Sequence, residues 1–206
     1  MLGLVHLVIL DSMADWEVGY LSAHLTSVRN RPQDARFRIV TVGLSQVPVT
    51  TMGGLQIVPE IALDRLDPTE SAMLVLPGGE TWGTPATEPF VQAAERFLDT
   101  KVPVAAVCGA TYGLAAAGLL DQRRHTSNDP GFLAASGYAG ADRYVTEPAV
   151  IDGDLVTASG VAPVHFARAV FERLGAHDPE LIDSWFKLYA DRDPAGFYEL
   201  MASEAV

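Results

Sequence analysis

The chain has 206 residues, 49% of them hydrophobic and 19% charged, and carries a formal net charge of −12 at pH 7. That length and composition suit one globular domain over residues 1–206 with a substantial core, and the acidic balance argues against nucleic acid or an anionic membrane surface as a partner, because both attract basic patches. A single cysteine, Cys108, rules out an intramolecular disulfide framework and a cysteine-rich zinc site, and points to a reducing, cytoplasmic setting.

The apolar run Leu2–Leu10 has no basic residue before it, ends in Asp11 and is too short to span a bilayer. It reads as a buried first strand over about 4–10, with His6 in the core or at the strand end. A helix opened by acidic residues follows from Asp15 to Leu25, since acids in a first turn suit the helix dipole. Phe37–Val42 is a second strand, and 48–58 is a hairpin turning at Gly53-Gly54. Ala72–Leu76 is a buried parallel strand that runs into Pro77-Gly78-Gly79-Glu80. A helix near 88–99 leads to the strand Lys101–Cys108, and Gly109–Gly118 is a helix rich in small residues. Residues 149–159 form a hairpin with Asp152-Gly153 in its turn, and a helix runs from Pro163 to about Leu174. Two amphipathic helices close the chain near 179–190 and 194–203. The segment 178–206 has two readings, a cover for the site or an interface. Strands alternating with helices predict an α/β fold with a mostly parallel sheet. No repeat, low-complexity tract or linker divides it.

Cys108 lies at a strand-to-helix junction with Ala106, Gly109 and Ala110 beside it, the small neighbours that a sharp nucleophile elbow requires. The N–H groups of a helix start lower a cysteine pKa through their partial positive charge. The alternative reading of such a residue is a buried thiol that packs as a small hydrophobe.

Ligands of open parallel sheets bind beyond the carboxyl ends of the strands. Three segments fall there: Asp11–Glu17, Pro77–Glu80 and Cys108-Gly109. Gly78 and Gly79 free the backbone to approach a substrate oxygen or a thiolate, with Gly79 and Gly109 as oxyanion donors; the same triplet also fits a plain turn. Glu17 reads either as the thiol's acid partner or as a solvated first-turn acid. Trp16, Trp82, Tyr112, His125 and Asn128 are candidates for the pocket, and each aromatic equally suits the core. His125 reads as a substitute base or as a residue packed at a strand end, while His24, His165 and His177 read as structural or solvated. No metal-ligand spacing, phosphate loop or dinucleotide glycine pattern occurs, so no metal or cofactor is expected.

Taken in order, Ala14-Asp15-Trp16-Glu17, Leu76-Pro-Gly-Gly79, Ala106-Val-Cys-Gly-Ala110 and Thr157-Ala-Ser-Gly160 before a helix containing Phe166 resemble the ThiJ/PfpI superfamily, with its class I glutamine-amidotransferase-like fold. Asp15-Trp-Glu17, His125-Thr-Ser-Asn128 and Ser159–Pro163 look most like its bacterial YoaZ/YdeA branch. The resemblance implies a flavodoxin-like αβα sandwich, commonly a homodimer, with Cys108 an oxidisable nucleophile and Glu17 the buried acid hydrogen-bonded to it.

Two departures narrow the expectation. Members with claimed protease activity carry His directly after the cysteine, where this chain has Gly109. Twenty residues past Cys108, where the Parkinson-disease-associated member has a histidine, stands Asn128, which hydrogen-bonds but exchanges no proton near neutral pH. Glutamine amidotransfer needs a Cys-His-Glu triad, and no His-x-Glu follows Cys108. The expected activity is therefore attack by Cys108 on a small electrophile, in an amidase or glyoxalase-like reaction. The competing expectations are a redox-sensing stress protein whose partner is an oxidant, and an interaction module that has lost its chemistry.

Overall fold

The computed structural model describes residues 2–28 and 35–202. Seven strands form one sheet in the order β5-β2-β1-β6-β7-β9-β8. These are β1 (Gly3–Val8), β2 (Phe37–Gly43), β5 (Ile61–Ala62), β6 (Met73–Leu76), β7 (Val104–Val107), β8 (Ala149–Asp152) and β9 (Leu155–Ala158). Every neighbouring pair is parallel except the edge hairpin β8–β9. All residues of β6 and β7 are inaccessible to solvent, which is why both read as unbroken apolar runs: a strand covered on both faces has no reason to alternate. A separate two-stranded ribbon, β3 (Val49–Thr50) and β4 (Gln56–Ile57), turns through Gly54 at φ +85°.

Helices flank the sheet in two groups. In one, α1 (Gly19–His24) and α6 (Pro179–Tyr189) pack on α5 (Pro163–Leu174), and α7 (Ala195–Ala202) packs on α6. In the other, α2 (Glu88–Asp99) and α4 (Pro130–Ala134) pack on α3 (Gly109–Ala116). Gly175 closes α5 in the left-handed conformation at φ 58°, the usual glycine helix stop. The helices 163–174, 179–189 and 195–202 match the sequence expectation within a residue or two.

Trp185 of α6 is fully buried against Phe171 of α5, with ring centroids 5.2 Å apart, and against Tyr20 and His24 of α1. Burying an indole there contributes on the order of 3 kcal/mol. The C-terminal helices therefore extend one helical layer by apolar packing on α1 and α5.

Several boundaries differ from the sequence expectation for physical reasons. The first helix starts at Gly19, not Asp15, and residues 15–18 form a turn. The acids there answer to distant donors instead of their own helix: Asp15 accepts from Thr51 Oγ1 and the Gly53 N–H, and Glu17 from the Gly78 N–H. The seventh strand begins at Val104, because Lys101 adopts φ 64°. Gly118, at φ 73°, ends the small-residue helix after Ala116. The short elements β5 and α4 carry too few residues to show a period in the sequence. Asp129 nonetheless caps α4, its Oδ1 accepting from the Gly131 N–H at 2.7 Å.

Candidate active site

Cys108 follows β7 directly and holds φ 55°, ψ −121° as the residue before α3. Such a backbone costs a non-glycine residue about 1–3 kcal/mol and persists only where its surroundings enforce it. They do so here on both sides. The Cys108 N–H donates to Ala158 O of β9 at 3.0 Å, and Cys108 O accepts from the Thr111 N–H at 3.1 Å and from Thr111 Oγ1. Thr111 Oγ1 is also paired with Ser127 Oγ at 2.6 Å, so the elbow is bound to the segment that carries Asn128. Gly109 has its own reason: a Cβ there would stand 2.8 Å from Gly79 O and 2.9 Å from the Trp82 ring.

The sulfur is half-buried and faces Glu17, which is fully buried although it lies on a loop. Glu17 Oε2 accepts from the Gly78 N–H at 2.6 Å. Glu17 Oε1 makes no hydrogen bond, although the carboxyl group as a whole interacts with the Cys108 thiol. Gly78 and Gly160 wall this pair from two sides. A Cβ on Gly78 would lie 2.6 Å from Glu17 Oε2 and 2.7 Å from Cys108 Cβ; one on Gly160 would lie 2.7 Å from Glu17 Oε1 and 2.9 Å from Cys108 Sγ. Only residues without a side chain fit at either position.

Asn128 completes the set. Its Nδ2 donates to Cys108 Sγ at 3.1 Å, while its Oδ1 accepts from the Gly160 N–H at 2.8 Å. A backbone N–H can only donate, so the amide oxygen must face Gly160 and the amide nitrogen must face the sulfur. Trp16, half-exposed, donates from Nε1 to Gly160 O at 2.8 Å.

Burial pushes the Glu17 carboxyl above the usual carboxylate range, against the pull of Cys108 and of the Gly78 N–H. Burial also pushes the Cys108 thiol up to about 11; the charge and hydrogen bond of Glu17 add to this, while Asn128 and the Gly109 N–H oppose it. The helix start alone therefore does not lower the thiol as its position in the sequence suggested. Burial outweighs it, and two adjacent groups of one sign resist a second ionisation. Glu17 and Cys108 titrate as a pair, which between its two ionisations shares one negative charge and one proton.

Not every residue singled out in the sequence lies in this arrangement. Glu17, Gly78, Gly109 and Asn128 gather around the Cys108 thiol, Gly79 stands against Gly109, and Trp16 connects through Gly160 O. The Gly78 N–H, expected to face a substrate, is held by Glu17 instead. Trp82 is core: it is 8% exposed, donates to Pro77 O at 2.8 Å and packs over Gly109 and Gly113. Tyr112 turns toward Gly83 and Phe132, with its hydroxyl directed at Ala135 O. His125 is fully buried, its Nδ1 on Arg123 O at 2.8 Å and its Nε2 on the Tyr138 hydroxyl at 3.1 Å, so both nitrogens are occupied away from the sulfur. Gly160, in contrast, received no role from the sequence, although it lies just past the carboxyl end of β9 where ligand sites collect.

A cavity of about 260 Å³ lies beside this cleft, behind Leu10 and Asp11, and is lined by Leu44, Val47 and Phe90. Cys108 is outside it. Among the described residues no cluster of three or more His, Cys, Asp or Glu side chains could hold a metal, and no helix is long and apolar enough to cross a membrane.

A parallel sheet bearing a strained cysteine elbow opposite a buried acid defines a flavodoxin-like α/β class, and known proteins agree. A profile of the DJ-1/PfpI family matches residues 4–173. "Uncharacterized protease YoaZ" of Bacillus subtilis is 42% identical over 200 residues, spanning 96% of this chain and 95% of that protein. "Uncharacterized protease YdeA" of the same organism is 32% identical over 194 residues, spanning 92% and 90%. The crystal structure of a thiJ/pfpI family protein from Bacillus anthracis superposes with a TM-score of 0.91 at 38% identity, covering 98% of this chain and 97% of that one. The chain belongs to the DJ-1/PfpI family.

Proposed function

We propose that the protein is a cysteine-dependent enzyme in which Cys108 adds to a small electrophile and Glu17 manages the proton. The observation that carries this reading is the placement of Glu17, whose Oε2 is held by the Gly78 N–H while its Oε1, without a hydrogen-bond partner, shares the face of Gly160 with the Cys108 sulfur.

The shared charge is better accommodated on sulfur. A thiolate at Cys108 receives Asn128 Nδ2, the Gly109 N–H and the Glu17 O–H, whereas a carboxylate at Glu17 receives only the Gly78 N–H and a weak S–H. Cys108 is also the more solvated member, and charge prefers water. The resting nucleophile is then a thiolate beside a neutral acid.

With an aldehyde, a C–S bond forms, the C=O electron pair moves to oxygen, and Glu17 gives that oxygen its proton, leaving a hemithioacetal and a carboxylate. With an amide, the collapsing adduct expels an amine protonated by Glu17, and water then cleaves the thioester, its proton returning to Glu17. Gly109 and Gly79 are the backbone donors assigned to the developing oxyanion.

Peptide cleavage is disfavoured by Gly109, which occupies the position of the activating imidazole in protease-type members, and by His125, whose nitrogens are bound elsewhere. A homodimer in a reducing cytoplasm with no cofactor completes the proposal.

One observation favours a second reading. The donors around Sγ would equally hold the oxygens of a sulfinate, formed when peroxide oxidises the thiolate to a sulfenate and then a sulfinate with loss of water. The test is turnover of methylglyoxal and small amides by wild type and Cys108→Ser. Loss of turnover in the variant supports the enzyme. Equal turnover removes the nucleophile, and a gain of two oxygens on Cys108 after mild peroxide, without turnover of any compound, supports the sensor.

A further inference from the structure

Trp16 is half-exposed, so it adds little to the core, yet its indole N–H makes a 2.8 Å bond to a backbone oxygen 144 residues away. That bond joins the loop after β1, which carries Glu17, to the segment after β9, which carries Gly160. Gly160 is in turn the residue whose N–H orients Asn128 and whose bare Cα closes over the sulfur. The segment's other ties include the Ser159 N–H on Pro148 O, a longer bond of 3.4 Å from Ser159 Oγ to Asn128 Oδ1, and the Ala162 N–H, which bonds back to Ser159 O within the same turn.

We propose that Trp16 is a positioning residue for the Cys108 thiolate, acting through Gly160 and Asn128 by the chain Trp16 Nε1 to Gly160 O, Gly160 N to Asn128 Oδ1 and Asn128 Nδ2 to Cys108 Sγ. The N–H and C=O of Gly160 belong to different peptide units, so the effect is geometric and not inductive. Trp16 sets where Gly160 stands; Gly160 sets the aim of the Asn128 amide and the exclusion of water from the sulfur. A hydrogen bond at 3.1 Å to sulfur weakens steeply when its donor turns aside. The cleft is thereby sensitive at its rim: whatever displaces the exposed indole, substrate included, loosens the thiolate's donor.

This inference rests on the proposed thiolate chemistry, but its test does not require turnover. Trp16→Phe keeps an aromatic ring and removes the N–H. Replacing Trp16 with 3-benzothienylalanine keeps the bicyclic shape and removes only the N–H, which guards against a loss of folding in the first variant. Iodoacetamide alkylation of Cys108 is followed across pH in both. The expected result is an upward shift of about one unit in the apparent thiol pKa, hence about tenfold less thiolate and tenfold slower alkylation at pH values below the wild-type thiol pKa. In an Asn128→Ala background the same replacements should add less than twofold. Wild-type profiles in both single variants, or effects that multiply undiminished on Asn128→Ala, would overturn the proposal. Failure of the enzyme reading shows separately, as turnover that survives Cys108→Ser.

Discussion

Glu17 accepts the Gly78 N–H on Oε2 at 2.6 Å, while its Oε1 and the Cys108 sulfur both stand against Gly160. A buried carboxyl with one oxygen anchored and the other facing a thiol is arranged to pass a proton, and the behaviour of the site follows from the proton's position. The surrounding glycines keep that geometry by leaving no room for anything else.

Asn128 supplies the sulfur with its side-chain donor. Asn128→Ala should raise the apparent thiol pKa by about one unit and slow alkylation about tenfold at pH values below the wild-type thiol pKa. Asn128→Asp, which puts an anion beside the sulfur, should shift it further in the same direction. Alkylation profiles of the two variants check both the sign and the order.

Gly160→Ala places a methyl group 2.7 Å from Glu17 Oε1 and 2.9 Å from Cys108 Sγ. The backbone of Gly160 is not in the left-handed region, so the cost is steric crowding alone, about 2 kcal/mol. Melting should fall by roughly 6 °C. Alkylation should slow well beyond what that loss of stability explains, because the methyl group must push the acid and the thiol apart. Calorimetry and alkylation on one preparation separate the two effects.

His125 belongs to the fold. His125→Phe strips partners from Arg123 O and the Tyr138 hydroxyl inside the protein and should cost about 1–3 kcal/mol. Its alkylation profile should match that of the wild type in the folded protein. A changed thiol pKa would restore His125 to the site.

His24 sets a pH dependence of stability. Burial holds its pKa below 6.5, and its Nδ1 has no partner. The unfolded chain therefore binds a proton more readily than the folded one between the depressed value and 6.5. The stability attached to neutral His24 is complete above about pH 6.5 and is lost as pH falls from there toward the folded value. His24→Phe should show a smaller drop in melting temperature between pH 7.5 and pH 5 than the wild type. Parallel curves would remove His24 as a cause.

The parts of the fold legible in the sequence are those whose burial leaves a pattern. β6 and β7 announce themselves as apolar runs, the 149–158 hairpin by Asp152-Gly153, and the start of α5 by Pro163. The start of α1 was illegible because the partners of Asp15 and Glu17 lie some 36 to 61 residues away, and no local rule sees them. The site divides the same way. Cys108, Glu17 and the glycines at 78, 79 and 109 stand at strand ends, a place that the alternation of elements locates. The roles of Asn128 and Gly160 depend on which atom of one faces which atom of the other. His125, three residues before Asn128, shows the limit: the register that brings Asn128 to the sulfur carries the imidazole into the core.

The proposed chemistry turns on a proton shared by Glu17 and Cys108, and Glu17→Gln reports directly on where it rests. The glutamine keeps the shape and can still accept from the Gly78 N–H, but it replaces a strong O–H donor to sulfur with a weaker N–H. If the resting pair is thiolate and carboxylic acid, alkylation of Cys108 across pH in Glu17→Gln shows an apparent thiol pKa raised above that of the wild type, by about one unit. A thiol pKa that falls on this substitution would mean that the wild-type acid rests as a carboxylate repelling charge on the sulfur, and the proposed resting nucleophile would be wrong.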